Sequence, residues 1–231
     1  MKGLIIIPTY NEKDNIEAIT KAVLELPYNF NVLIVDDNSP DGTGVIADRL
    51  SSNNNLVHVI HNSEKKGIGP AYIKGFKWGL EKGYDILFEM DADFSHDPKE
   101  IPNFLEKIKE YDLVIGSRNV PGGASKDWTV FRKLISKGGS LYSRIILGVD
   151  VKDFTGGFNM YRKEALERVN LDKIKSEGYA FAIEIKYRVI KAGAKFCEVP
   201  IIFPNRKRGK AKMTKEIFLE AMLRVWQMRI N

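Results

Sequence analysis

Asp91 and Asp93, in the stretch MDADFSHDP at residues 90–98, are the pair in this chain best suited to do chemistry. Two carboxylates separated only by the small Ala92 suit a hard divalent ion, which prefers oxygen ligands and shares its shell with phosphate oxygens. They follow Asp85–Met90, a run that reads as a strand, and so stand at the carboxyl edge of a sheet, where open α/β folds bind ligands. An Asp-x-Asp pair is short, and a solvated acidic turn is the plain alternative. Its surroundings favour the chemical reading. Asp36 and Asp37 end another apolar run, and basic residues gather at 118–144 and 206–215. Acids at strand ends with basic segments nearby could hold a phosphate-bearing substrate through a metal.

The elements that must position these acids are legible as alternating runs. Leu4–Ile7, Val32–Val35, Leu56–Ile60, 85–90 and Asp112–Ile115 read as strands, the first two apolar throughout and therefore buried on both faces. Between them, apolar residues recur at helical spacing: Ile16, Ile19, Val23 and Leu26, then Ile73, Phe76 and Leu80, then Ile101, Phe104 and Ile108. Asn11 with Asp14 resembles a capping box for the first helix, and Pro98 suits a helix start. This alternation from residue 3 to 116 predicts an α/β fold with a doubly wound, mostly parallel sheet. Lys65–Ala71 opens a helix through Gly67 and Gly69. It could receive an anion on backbone N–H groups, or be a plain turn.

The second half changes character. Residues 128–147 read as an amphipathic helix or helix pair interrupted at Gly138-Gly139, with Arg132, Lys133, Lys137 and Arg144 on the polar side. Such an element can pack on a core or lie in a bilayer interface. Asp153–Phe158 is a glycine-containing turn, and 163–169 and 181–191 read as helices. Lys195–Phe203 reads as an edge strand because Pro200 interrupts it. In the last helix, 214–230, apolar residues leave only a narrow polar stripe of Glu216, Glu220, Arg224 and Gln227. That surface suits a membrane, a partner or a further segment, with core packing as the alternative. The expected organisation is one domain, 1–213, followed by an amphipathic helix at 214–231.

The chain has 231 residues with a net charge of +6, which suits an anionic partner such as phosphates, a nucleic acid or a charged membrane. Its single cysteine, Cys197, excludes an internal disulfide and fits the cytosol. No secretory signal is evident, and no window reaches the roughly 18–20 apolar residues of a membrane span.

Six motifs in order carry a resemblance: IPTYNE, VDDNSPDGT, DADFSHDP, GSR, DFTGGF and FPNRKRGKAKM. Together they resemble the family-2 glycosyltransferases, with the dolichyl-phosphate (polyprenyl-phosphate) mannose synthases as the best match. The resemblance implies a GT-A-type nucleotide-sugar-binding sheet and a divalent metal, Mg²⁺ or Mn²⁺. It implies inverting transfer of mannose from GDP-mannose to a polyprenyl or dolichyl monophosphate. By resemblance, Pro8, Tyr10 and Glu12 line the nucleotide pocket, and Val35 and Asp37 contact base and ribose. Asp91, Ala92 and Asp93 form the metal and diphosphate turn. Arg118, Arg132 and Ser136 receive the acceptor phosphate, and Arg206 and Lys212 fold over the donor diphosphate. Asp93, Arg118, Arg132 and Ser136 are thus the expected catalytic set, with Asp91, Asp93 and Ser95 at the metal.

Three residues depart from the family pattern. Ser95 stands where some relatives have a metal-holding Gln, Ala211 where Ser is usual, and Asn159 where an Arg is common. The membrane-spanning C-terminal segment of some relatives is not found. Others are soluble subunits held by a separate membrane protein, and the final helix fits such a partner or the membrane surface itself. The expected location is cytoplasmic and peripheral to a membrane. A Gln-x-x-Arg-Trp motif, expected of a processive polysaccharide synthase, is not present. Two alternatives stay open: a glycosyl transfer from a UDP-sugar to the same kind of lipid, and a basic nucleic-acid-binding protein. The second leaves Asp37, Asp91 and Asp93 unexplained, because carboxylates repel phosphates unless a metal intervenes, so no nucleic-acid partner is expected.

Overall fold

A computed structural model describes residues 1–204 and 215–230. The elements in order are β1 (Gly3–Thr9), α1 (Ile16–Leu24), β2 (Phe30–Asp36), α2 (Thr43–Asn53), β3 (Val57–His61), α3 (Ile68–Glu81), β4 (Ile86–Glu89), α4 (Ile101–Lys107), β5 (Leu113–Ser117), β6 (Ala124–Ser125), α5 (Val130–Leu147), β7 (Asn159–Arg162), α6 (Lys163–Glu167), α7 (Gly178–Lys191), β8 (Phe196–Pro200), β9 (Ile202–Phe203) and α8 (Lys215–Ile230). Seven strands form one sheet in the order β3-β2-β1-β4-β7-β5-β8, and β6 pairs with β9 beside it. Every pairing in the large sheet is parallel except those of β7, which runs opposite to both neighbours.

Side-chain alternation assigns the core to the two sheet faces. Leu4, Ile6, Leu33 and Val35 join Phe76, Phe181 and Ile185 on one face, while Ile5, Ile7, Val32 and Ile34 join Ile19, Phe88 and Phe104 on the other. α3 lies tight on the first face because it presents glycines there. A Cβ on Gly75 would stand 2.5 Å from the Ile6 side chain, and one on Gly79 2.6 Å from Leu87. The chain lays β2 and β3 to one side of β1 and β4 to the other. The strand order therefore reverses between β1 and β4, where open sheets leave a ligand crevice.

The parallel half follows the sequence expectation, and five local features differ from it. β7 and β6 were not expected. The 128–147 segment is one helix through Gly138-Gly139. Thr129 caps it by accepting the Arg132 N–H, and Gly148 ends it in the left-handed region at φ 67. Residues 195–203 divide: β8 is the sheet edge, and β9 leaves it for β6. The proposed Asn11 cap is not formed. Asn11 sits in a left-handed turn at φ 63, and α1 starts only at Ile16.

α8 packs against α5 and α7. Val225 and Met228 are buried, whereas Leu223, Trp226 and Ile230 are exposed. On α5, Val130, Phe131, Leu134, Leu141 and Ile145 are exposed as well. Among the described residues no helix is long and apolar enough to cross a membrane.

Candidate active site

The carboxyl ends of β1, β2 and β4 bring the predicted donor residues to one edge. Thr9 closes β1 and donates its hydroxyl to Asp36 Oδ1 at 3.1 Å, joining the two strand ends. Asp36 also accepts the Ser39 N–H and hydroxyl. Tyr10 is half-buried, and the Lys65 ammonium lies 3.8 Å from its ring centre. The Glu12 N–H donates to Thr43, and its carboxylate accepts from Asn15. Pro8 is half-buried at the end of β1.

Asp37 is bonded within the chain. Its oxygens accept from Asn62 Nδ2 at 2.6 Å and from the N–H groups of Gly67 at 2.8 Å and Lys66 at 3.2 Å. They hold the 62–67 loop that leads into α3. Within the glycine-rich opening, the Lys66 and Gly67 N–H groups are thus taken by this chain's own carboxylate. Val35 departs from expectation, because its side chain is fully buried in the core and cannot contact a base.

The Asp91–Ser95 turn is held from within. The Asp91 N–H donates to His96 Nδ1 at 2.9 Å, so a neutral His96 carries its proton on Nε2, which lies 3.9 Å from Asp91 Oδ2. His96 is buried and stacks on Phe158 at 4.6 Å. Asp93 Oδ1 accepts both the N–H and the hydroxyl of Ser95. Phe94 lies at φ 60, a strained conformation for a bulky residue and of a kind common at functional turns. Ala92 is buried, which lets the turn sit down on the sheet.

These donors fit a divalent ion shared with a substrate. Among the described residues no three His, Cys, Asp or Glu side chains converge as a closed cage. Two carboxylates are the protein share expected when a Mg²⁺-like ion completes its shell with water and substrate phosphates. The Ser95 hydroxyl lies on Asp93, so it orients that carboxylate.

The other half of the site follows β5. Arg118 is buried and clamped by Asp153: Nε to Oδ2 at 2.7 Å, Nη2 to Oδ1 at 2.7 Å, and the Arg118 N–H to Oδ2 at 2.9 Å. Burial pushes the Asp153 carboxyl up, but the Arg118 guanidinium outweighs it and holds the carboxyl below its usual range. Arg118 Nη2 also donates to Thr155, whose hydroxyl lies 3.1 Å from Ser136 and 3.3 Å from Ser140. Beside this cluster is a pocket of about 200 Å³ lined by Arg118, Asn119, Ser125, Lys133, Ser136 and Lys137. Three cationic side chains around a small polar pocket suit a phosphate. Arg132 does not line it. Its guanidinium stacks on Trp128 at 3.6 Å from the ring centre.

Behind both halves lies a buried charged cluster. Glu89, the last residue of β4, accepts from Asn159 at 2.6 Å and from the Tyr161 hydroxyl at 3.2 Å. Burial pushes its carboxyl up to about 7, against these bonds and the attraction of Lys186. Burial likewise pulls the Lys186 ammonium down to about 8, against Glu89 and Asp153.

The chain matches Glycosyl transferase family 2 over residues 4–169, most of its length. It belongs to that family. This glycosyltransferase is 47% identical over 225 residues to the undecaprenyl-phosphate mannosyltransferase of Micrococcus luteus, covering 97% of this chain and 93% of that one. It is 45% identical over 232 residues to the polyprenol monophosphomannose synthase of Mycolicibacterium smegmatis, covering 99% and 88%. Its fold is that of glucosyl-3-phosphoglycerate synthase from Mycobacterium tuberculosis, crystallised with Mn²⁺, UDP and phosphoglyceric acid. The TM-score is 0.71 at 15% identity, over 99% of this chain and 78% of that one.

Of the residues expected at this glycosyltransferase's site, Pro8, Tyr10, Glu12, Asp91, Ala92, Asp93 and Ser95 share one sheet edge, and Arg118 meets Ser136 through Thr155. Arg206 and Lys212 lie outside the described residues. Sequence reasoning missed His96, which fixes Asp91, and Asp153, which fixes Arg118. It also read Lys133 and Lys137 only as a helix face. A spacing of four residues between them, with Ser136 alongside, was the available signal.

Proposed function

We propose that this glycosyltransferase moves mannose from GDP-mannose to a polyprenyl or dolichyl monophosphate, with inversion at the sugar. The observation that carries this reading is a two-carboxylate turn and a small cationic pocket at the ends of β4 and β5. The two mannosyltransferase relatives support it. A divalent ion bound at Asp91 and Asp93 would offset the charge that gathers on the departing diphosphate. Arg118, Lys133, Lys137 and Ser136 hold the acceptor phosphate, with Arg118 kept rigid by Asp153. That phosphate is already anionic at neutral pH, so an attacking oxygen needs no general base. It bonds the anomeric carbon from the face opposite the diphosphate, and the diphosphate leaves with the bonding pair. The site therefore works by alignment and charge placement. Arg206 and Lys212 complete the donor side in this reading, and residues 1–213 form the catalytic domain.

The test is transfer from a panel of labelled nucleotide sugars to a polyprenyl phosphate, with and without EDTA. GDP-mannose should be the preferred donor, and EDTA should abolish transfer. Preference for UDP-glucose would overturn the mannose assignment, and full activity in EDTA would overturn the metal. In the same assay Lys133→Ala with Lys137→Ala should raise the acceptor KM about tenfold or more.

A lipid acceptor needs an enzyme at a membrane surface. The exposed apolar residues of α5 and α8, set among Arg132, Lys133, Lys137, Arg144 and Arg229, fit peripheral binding to anionic lipid on the cytoplasmic side. The purified protein should float with anionic vesicles, and Phe131→Ser with Leu134→Ser should release it. Flotation only when a membrane protein partner is supplied would assign this face to an anchoring subunit.

A further inference from the structure

Lys186 lies on α7 with no exposed surface, among Ile183, Ile185 and Val189. An ammonium costs several kcal/mol to bury unless it is paired and hydrogen-bonded. An apolar residue would fill the same space more cheaply, so the charge calls for a local explanation. Its Nζ donates to the carbonyl oxygen of Gly156, which also accepts from Asn159 Nδ2 at 3.3 Å. Asn159 in turn holds Glu89.

Gly156 belongs to the turn that bears Asp153 and Thr155. On its active-site side, Asp153 clamps Arg118, and the Thr155 hydroxyl meets Arg118, Ser136 and Ser140. Gly156 itself can offer only backbone, since a Cβ there would stand 3.2 Å from the Gly116 carbonyl oxygen. Glu198 holds the start of the turn by accepting the Lys152 and Asp153 N–H groups, and the Gly156 carbonyl is the handle by which its far end is fixed. Glu89 and Asp153 offset the ammonium, with Arg118 as the second cation of the cluster.

We infer that Lys186 is a positioning residue for the acceptor half of the site: its buried ammonium grips Gly156 and thereby sets the Asp153–Thr155 turn under Arg118 and Ser136. This rests on the acceptor reading proposed above. Lys186 touches no substrate in this role. It should govern acceptor use and leave donor binding alone, because the carbonyl it grips belongs to the turn beneath Arg118 and Ser136.

The experiment uses the full chain with Lys186→Met, and with Lys186→Met combined with Glu89→Gln so that no buried carboxylate is left without its cation. Two readouts are taken on the double variant. Amide hydrogen exchange in residues 153–158 should quicken about tenfold or more while β1 and β2 keep wild-type rates. The KM for a polyprenyl phosphate should rise about tenfold, with calorimetric affinity for GDP-mannose within about twofold of wild type. Lys186→Arg, which keeps charge and donor, should recover part of the acceptor KM.

Unchanged exchange at 153–158 would overturn the inference. So would an equal acceleration across β1 and β2, which would make Lys186 an ordinary core residue. An unchanged acceptor KM would do the same. If the wild-type protein transferred no sugar to any polyprenyl phosphate, the proposed function would fall, and the exchange readout would still decide what Lys186 does to the turn.

Discussion

Asp93→Asn is expected to lower sugar transfer roughly a thousandfold or more while moving the melting temperature by no more than about 2 °C. The asymmetry comes from what Asp93 does in the turn. Its Oδ1 accepts the Ser95 N–H and hydroxyl, and the carbonyl oxygen of an asparagine can accept both. The turn therefore survives, and what is lost is one of two negative charges able to hold a dication. No third acidic, histidine or cysteine ligand converges there among the described residues to compensate. Ser95→Ala serves as the control: it loosens Asp93 but keeps its charge, so its loss of activity should be far smaller. Wild-type transfer by Asp93→Asn, measured with labelled donor, would remove the metal from this site.

Asp153→Ala should have the largest effect on stability, about 3–5 kcal/mol, or a fall in melting temperature of roughly 6–20 °C. The substitution strands the Arg118 guanidinium in a buried position after removing two of its bonds and one from the Arg118 backbone N–H. Replacing both partners, with Arg118→Met and Asp153→Leu, should recover most of the stability, because a buried ion pair adds little over apolar groups of similar size. It should not recover transfer, since the pocket proposed for the acceptor phosphate loses its rigid cation. Thermal melts and transfer assays on the three variants check both statements. The pair also has a pH signature. Asp153 titrates below its ordinary range in the folded protein, so its contribution is complete above the unfolded carboxyl value near 3.8. That contribution is lost as pH falls through the lower folded value. Acid unfolding of wild type should therefore begin below that range, and the double apolar variant should lack this component.

Some parts of the molecule were readable in the chain and others were not, for physical reasons. β1 and β2 announce themselves because a strand covered on both faces must be apolar throughout and must end where the backbone meets water. The acids after β2 and β4 mark those ends. β7 gives no such signal. It is four residues long, and the strands that recognise it lie far away in sequence, so no local pattern reports it. The roles of Asp37 and Asp153 were hidden for a related reason. A carboxylate at a strand end can serve a ligand or its own backbone, and only the folded chain shows that Asp37 holds the Lys66 and Gly67 N–H groups. Lys186 was invisible because a lysine at a helical position reads as solvated. Ser95 was open in the sequence, and the folded chain places its N–H and hydroxyl on Asp93.

Strand β7 also ties closure of the sheet to contacts distant in sequence. β4 and β5 leave the ribosome before residue 118, yet neither gains its inner neighbour until residue 162 has been added. Until then the nascent chain carries two unpaired inner strand edges, which are templates for pairing with other chains. Joining them requires contacts distant in sequence, the kind that form late because loop closure must come first. The segment that seals the gap also brings in the turn holding Arg118. Joining β4 to β5 and fixing Arg118 therefore depend on the same stretch of chain.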